Sequence, residues 1–420
     1  VRLSSLRGAA IAAIAALAAA SLAGCRSGGL AATNDMAAVR GTAAGCAPPI
    51  VPDEARLQPV RGLPDPFTFA DGRPVRTAAD WRCRRAELAA QIQRFELGAR
   101  PEGPARVTGR MQGQDLVVDA TVDGKTISFP VKIALPAGGR PPYPAIIGVG
   151  AVTLNNAELA QLGVALITFP NNLIAEQKDA GSRGKGKFYE LFGADADAGA
   201  MIAWSWGVSR LIDVLAATPG AGIDAGRLGI TGCSRNGKGA IVAGAFDERI
   251  RLTIAQESGN GGASGWRTAD AQRAAGENVQ TLGQIVTENV WFTDGFKRFA
   301  TRADRLPFDQ HEVMGLIAPR ALLVLENTSM EWLGNRSAYV TSLGARPIWT
   351  ALGAPDAMGF AQVGGHPHCQ LPASQYRHVG NFARRFLLGD DGASTAVLET
   401  DGAFDRDTAP WVTWSTPRLR

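Results

Sequence analysis

The spacing of apolar residues changes character several times along the chain. Residues 77–98, TAADWRCRRAELAAQIQRFELG, set Trp81, Leu88, Ile92 and Phe95 at helical intervals. That spacing predicts an amphipathic helix that buries this stripe. Residues 105–136 alternate apolar and polar positions in three runs, broken at Gly and at Asp-Gly. Such alternation predicts antiparallel strands. From residue 143 the alternation stops. YPAIIGVG (143–150) and GVALITFP (163–170) are short and almost continuously apolar, as strands buried on both faces are. A long helix over 195–218 follows. Next come strand 227–232, helix 237–246, strands 250–258 and 320–327, and a late helix over 371–389.

Strands alternating with helices predict a mostly parallel sheet covered on both faces. Leading antiparallel strands are compatible with such a sheet. The expected architecture is one α/β domain over 46–395, with antiparallel N-terminal strands beside a mostly parallel central sheet. Residues 396–420 are left as a C-terminal extension.

The first 45 residues follow neither pattern. A short basic start, an apolar run and small residues make residues 1–24 a secretory leader. Leu22-Ala23-Gly24-Cys25 resembles a bacterial lipobox, which implies lipidation of Cys25. The chain is then exported and anchored in the bacterial outer membrane, and it touches the membrane only through that lipid. Residues 25–45 are small and polar and read as a tether. Net charge is +4, and losing Arg2 and Arg7 with the leader lowers it to +2. The remaining basic residues are scattered, which argues against a nucleic-acid partner.

Export changes the meaning of the cysteines. Of the five, Cys25 is assigned to lipid, leaving Cys46, Cys83, Cys233 and Cys369 in an oxidising compartment. Four cysteines admit three pairings, and their order alone does not choose among them.

Residues 229–240, GITGCSRNGKGA, admit two readings. Gly232, Gly237 and Lys238 fit G-x-x-x-x-G-K, the phosphate-binding loop. That loop needs a hydroxyl after the lysine to hold a metal ion, and Gly239 stands there. The other reading puts Ser234 on a sharp strand-to-helix turn, where an α/β-hydrolase holds its nucleophile. The usual second glycine position is Asn236, and the glycine falls one residue later, at Gly237. A serine at a helix start is also an ordinary cap.

A serine nucleophile needs a histidine base, itself oriented by a carboxylate. The four histidines are His311, His366, His368 and His378. His311 lies upstream of a strand and His378 within a helix. His366 and His368 share the Gly-rich loop VGGHPHCQ, where hydrolases of this fold place the base. Cys233 precedes Ser234 and Cys369 follows His368, so a bridge between them would tie the two loops together. No Cys/His/Asp array at zinc spacing surrounds the pair, so no metal is expected.

Together GCSRNGKGA, QESGNGG, GENVQTLGQIVTENVWF, LLVLENTSMEWLG and GHPHCQLP resemble the glucuronoyl esterases, the fifteenth carbohydrate esterase family. The resemblance runs from about Cys46 to residue 390. It implies an α/β-hydrolase, a three-layer sandwich, that needs no cofactor. The implied reaction hydrolyses the ester between 4-O-methyl-glucuronic acid side groups of xylan and lignin alcohols. Glucuronoxylan and lignin-carbohydrate esters are then the partners, and a monomer is expected.

By the same resemblance Ser234 is the nucleophile, His368 the base and Glu257 the acid. Many bacterial members take the acid from the region matching LENTSMEWL, which keeps Glu326 and Glu331 open. Arg235 matches an arginine that holds the oxyanion; without that role it would be an odd buried charge. Lys238, Gln280, Glu288 and Trp332 match sugar ligands. Taken singly, Gln280 and Glu288 also fit one solvated helix face, and Trp332 a core position. The resemblance implies Cys46–Cys83 and Cys233–Cys369 bridges. Competing functions are an acetyl or feruloyl xylan esterase of the same fold and a non-catalytic xylan-binding protein.

Overall fold

A computed structural model describes residues 45–101, 106–404 and 408–419. The expected leader, the lipidation site Cys25 and nearly all of the tether lie outside the described residues.

Among the described residues ten strands form one sheet. They are β1 (Arg106–Gln112), β2 (Asp115–Val122), β3 (Lys125–Ala134), β4 (Tyr143–Val149), β5 (Ala165–Phe169), β6 (Ile223–Cys233), β7 (Ile250–Gln256), β8 (Ala321–Glu326), β9 (Met358–Gln362) and β10 (Leu398–Thr400). Their order is β1-β2-β3-β5-β4-β6-β7-β8-β9-β10. The first three strands and the β3–β5 pair are antiparallel, and every pair from β5 to β10 is parallel.

The two apolar patterns correspond to two environments. β3 alternates buried and exposed positions, whereas β4 and β8 are buried throughout. The Asp-Gly break is the β2–β3 turn, where Asp123 (φ 48°) and Gly124 (φ 78°) are both left-handed. A tight hairpin demands that backbone.

Helices cover both faces, giving three layers. One core gathers α1 (Ala78–Ile92), α3 (Ala200–Ala217), α4 (Arg235–Phe246) and α6 (Asn335–Ala351). The other lies under α2 (Asn156–Gln161) and α7 (Ala373–Ala383). A further helix, α5 (Leu282–Glu288), sits near the ends of the parallel strands. α3 is long and apolar enough to cross a membrane, but 78% of it is buried inside the fold.

Thr77 and Asp80 form a capping box that starts α1. The expected stripe Trp81, Leu88, Ile92 and Phe95 is buried. The α-helix is shorter than 77–98, because residues Gln93–Leu97 form a π-turn ending at Gly98. A Cβ on Gly98 would meet Asp197 O at 2.1 Å, so the chain must turn at a glycine.

The described residues beyond 395 are part of the fold. β10 pairs with β9, Trp411 O accepts from Leu63 N at 2.8 Å, and Trp414 stacks on His311. Its few apolar residues were too sparse to show a period.

Candidate active site

The turn that carries Ser234 is built by glycines that admit close backbone approach. β6 ends at Cys233, and α4 begins at Arg235. Ser234 between them has φ 60°, ψ −129°, a conformation costly for a side chain. A Cβ on Gly232 would meet Asn236 O at 2.3 Å, and one on Gly237 would meet Gln256 O at 2.8 Å. The displaced glycine is therefore explained: Gly237 faces the β7 backbone. Asn236, in the usual glycine position, fits because Gly150 opposite has no Cβ. One there would lie 2.7 Å from Asn236 Nδ2.

Two more residues with left-handed backbone cluster at the same end of the sheet. Glu257 follows β7 with φ 46°, and Cys369 has φ 63° in the loop after β9. Glu257 is 1% exposed, so it is neither a surface carboxylate nor a helix cap. Its Oε2 lies 2.6 Å from His368 Nδ1, and its Oε1 accepts from Cys369 N at 3.0 Å. Asn327 Nδ2 and Gln256 Nε2 also donate to it, at 3.4 and 3.5 Å. A carboxylate held this way fixes Nδ1–H as the donor and leaves His368 Nε2 free. The side chain of His368 is 33% exposed, so Nε2 can meet a reacting group.

Both disulfides implied by the resemblance are present. Cys233–Cys369 has a Cα separation of 5.7 Å and directly joins the neighbours of Ser234 and His368. Cys46–Cys83 pins the N-terminal segment to α1.

The alternative acids make other contacts. Glu326 ends β8 and accepts from Ser258 N at 3.0 Å and Ser258 Oγ at 3.1 Å. Burial, reinforced by Glu257 nearby, raises its pKa to about 8. Glu331 accepts from Asn278 N at the surface. Among the described residues neither meets His368.

Lys238, one turn after Ser234 on α4, donates through Nζ to Ser258 O. It is 3% exposed, and burial lowers its pKa to about 7. This placement is incompatible with a phosphate-loop lysine, because its ammonium already meets the backbone after Glu257.

A cavity of about 310 Å³ opens at Ser234. Arg235, Lys238, Gln280, Glu288, Trp291 and Trp332 line it. All four expected sugar ligands therefore reach one space. Gln280 and Glu288 do not share a helix face. Gln280 precedes the Thr281 cap of α5, with its N–H donating to Trp332 O at 3.1 Å. Trp332 is half-buried in a short turn, not a core residue.

Arg235 corrects an expectation. It is exposed, not a buried charge, because the first turn of α4 faces the open cavity. Its Nη1 lies 3.4 Å from Gln177 Oε1. Gln177, Trp291 and Asn327 were not legible in the sequence. Gln177 sits outside every quoted motif, and Trp291 and Asn327 sit within motifs that assign them no role; only the folded loops bring the three to Arg235 or Glu257.

The remaining histidines are engaged elsewhere. His311 Nε2 meets Pro64 O at 2.8 Å, and His378 Nε2 meets Glu399 Oε2 at 3.1 Å. His366 Nε2 meets Val363 O at 3.0 Å. Donor atoms of Cys233, His368 and Cys369 lie within 4.8 Å of one another. Both cysteines are in the disulfide, which offers a metal no thiolate. A larger hollow, about 390 Å³, lies at the opposite ends of the strands among Pro141, Pro142 and Ile223. Its lining holds one carboxylate, Asp224, and no serine, cysteine or histidine.

The chain matches the family described as glucuronyl esterase, fungi, over residues 118–353, more than half its length. A 4-O-methyl-glucuronoyl methylesterase of Hypocrea jecorina is 45% identical over 369 residues, covering 88% of this chain and 78% of that protein. The chain belongs to the glucuronoyl esterase family. The fold is that of an α/β-hydrolase. The glucuronoyl esterase catalytic domain from Hypocrea jecorina matches with a TM-score of 0.84 and 43% identity, over 89% of this chain and 100% of that one. A serine-to-alanine mutant of the Sporotrichum thermophile glucuronoyl esterase was solved with methyl 4-O-methyl-β-D-glucopyranuronate. It matches with a TM-score of 0.83 and 44% identity, over 89% of this chain and 100% of that one.

Proposed function

We propose that this glucuronoyl esterase family member is a serine esterase. It hydrolyses the ester joining 4-O-methyl-glucuronic acid side groups of xylan to lignin alcohols. The observation that carries the reading is the 2.6 Å contact between Glu257 and His368, on a loop bridged to the residue before Ser234.

The chemistry follows from these groups. His368 Nε2 takes the Ser234 proton, and Oγ attacks the C6 carbonyl. Glu257 stabilises the imidazolium that forms. The oxyanion develops beside the backbone N–H of Arg235, which has no acceptor in the first helical turn. The Arg235 guanidinium adds a second, charged donor. One such donor lowers the barrier by about 3–4 kcal/mol. His368 then gives its proton to the departing alcohol. Water loses a proton to the same nitrogen and attacks the acyl-serine, and His368 returns that proton to Ser234 Oγ as the glucuronate, still carried by xylan, leaves.

A uronic acid esterified at C6 is neutral, so its hydroxyls carry recognition. Lys238, Gln280 and Glu288 offer donors and acceptors, and Trp332 offers an apolar face. All these groups belong to one chain, so the proposed site needs no residue from a second copy. Two disulfides support export. The lipobox-like sequence supports the finer proposal of a lipid on Cys25, which mass spectrometry of the mature N-terminus tests.

The deciding assay compares benzyl glucuronate with acetylated and feruloylated xylan, for the wild type and Ser234→Ala. Preference for the glucuronate ester, abolished in Ser234→Ala, supports the reading. Equal or faster release of acetate or ferulate would replace it with the related esterase.

A further inference from the structure

Gln177 lies behind the cavity, and its hydrogen bonds allow only one orientation of its amide. An indole N–H and a guanidinium can only donate. Trp291 Nε1 approaches Gln177 Oε1 at 3.0 Å, and Arg235 Nη1 approaches the same oxygen at 3.4 Å. The other end of the amide, Nε2, donates to Asn172 Oδ1 at 3.0 Å. Gln177 is 8% exposed, so these protein contacts satisfy it.

The indole that Gln177 holds is shared. The Trp291 ring centroid lies 5.6 Å from Arg235 Cζ and 5.3 Å from Lys238 Nζ. Cations are attracted to such a face. Arg235 makes no ion pair among the described residues. An amide oxygen and a ring face therefore hold it in place, and neither neutralises its charge. A carboxylate in that position would fix the guanidinium as firmly, yet compete for it with a developing oxyanion.

We infer that Gln177 is a positioning residue for the reaction: through its single amide oxygen it locks Trp291 and aims Arg235 at the oxyanion without neutralising it. This inference rests on the proposed role of Arg235.

The test uses benzyl glucuronate turnover by the full chain. Gln177→Glu keeps the shape and adds a competing charge; Gln177→Met removes the acceptor. Each is also made in an Arg235→Ala background, with thermal unfolding measured alongside. Misplacing an oxyanion donor costs less than deleting it, so each single variant should lower kcat about tenfold. KM should stay within about twofold, because Arg235 meets a charge that develops only in the transition state. Neither substitution should cost anything further once Arg235 is gone. Unchanged kcat, a loss confined to KM, or a loss that persists in Arg235→Ala would overturn the inference. Full turnover by Ser234→Ala would be a different failure: it removes the esterase reading, and this inference with it.

Discussion

His368 Nδ1 and Glu257 Oε2 lie 2.6 Å apart, although 111 residues separate them in sequence. Glu257 reaches His368 because its backbone is left-handed, which turns the carboxylate from the end of β7 toward the loop after β9. Glu326, at the end of the neighbouring strand, spends its accepting oxygen on Ser258 instead. Glu257→Gln should lower kcat by about a thousandfold or more, since the orienting charge is lost. Glu331→Gln should change it less than twofold, as the side chain only accepts from Asn278 N at the surface. A large loss in the second variant and not in the first would move the acid to the other loop.

The two disulfides should separate by what their removal affects. Cys233–Cys369 closes 136 residues and Cys46–Cys83 closes 37. Chain entropy gives about 5 and about 4 kcal/mol respectively. Replacing both members of either pair by alanine should lower the unfolding temperature. Replacing Cys233 and Cys369 should also lower kcat in enzyme that is still folded, because the bridge joins the residues beside Ser234 and His368. Assays below the unfolding transition check this. Equal loss of kcat from the Cys46–Cys83 pair would contradict the assigned division.

Trp332 differs from the buried tryptophans in being half-buried at the rim of the cavity. Its backbone carbonyl, not its indole, holds Gln280 in place. Trp332→Ala should therefore keep the loop and remove only an apolar sugar platform. The expected result is a rise in KM of about tenfold with kcat little changed and the unfolding temperature within a few degrees. A loss of kcat at unchanged KM would place Trp332 with the reacting groups instead.

Legibility depended on how far each signal extends along the chain. Alternation against continuous apolar runs separated β3 from β4 and β8. β9 gave no such signal, since MGFAQ is short and contains glycine and glutamine, yet every residue of it is buried. β10 is three mostly exposed residues, which no pattern reveals. Ser234 and His368 were legible because each sits beside a cysteine in a Gly-rich turn. Gln177 was not, because its role depends on two donors, Trp291 and Arg235, from distant parts of the chain. Arg235 was misjudged in environment: the sequence put it on the turn after Ser234, ahead of a helix expected from 237, and could not show that this turn, already helical from Arg235, opens onto a cavity.

Glu96 provides a test of the fold, not of the chemistry. It sits in the π-turn after α1, 1% exposed, accepting from Gln310 Nε2 at 2.9 Å and from Trp266 Nε1 at 3.3 Å. Both partners are neutral. Burial, with Asp309 adding repulsion, raises its pKa from 4.5 to about 8. The folded state thus keeps a proton that the unfolded state releases. Its contribution to stability is complete below the unfolded value and declines as pH rises, until it is lost through about 8. Glu96→Gln cannot ionise, so the difference in unfolding temperature, variant minus wild type, should grow more positive with rising pH. Glu312, raised to about 8 by its own burial, shifts both proteins alike and drops out of that difference. A difference that stays flat from about pH 5 to about pH 9 would mean that Glu96 is already ionised in the folded protein at neutral pH.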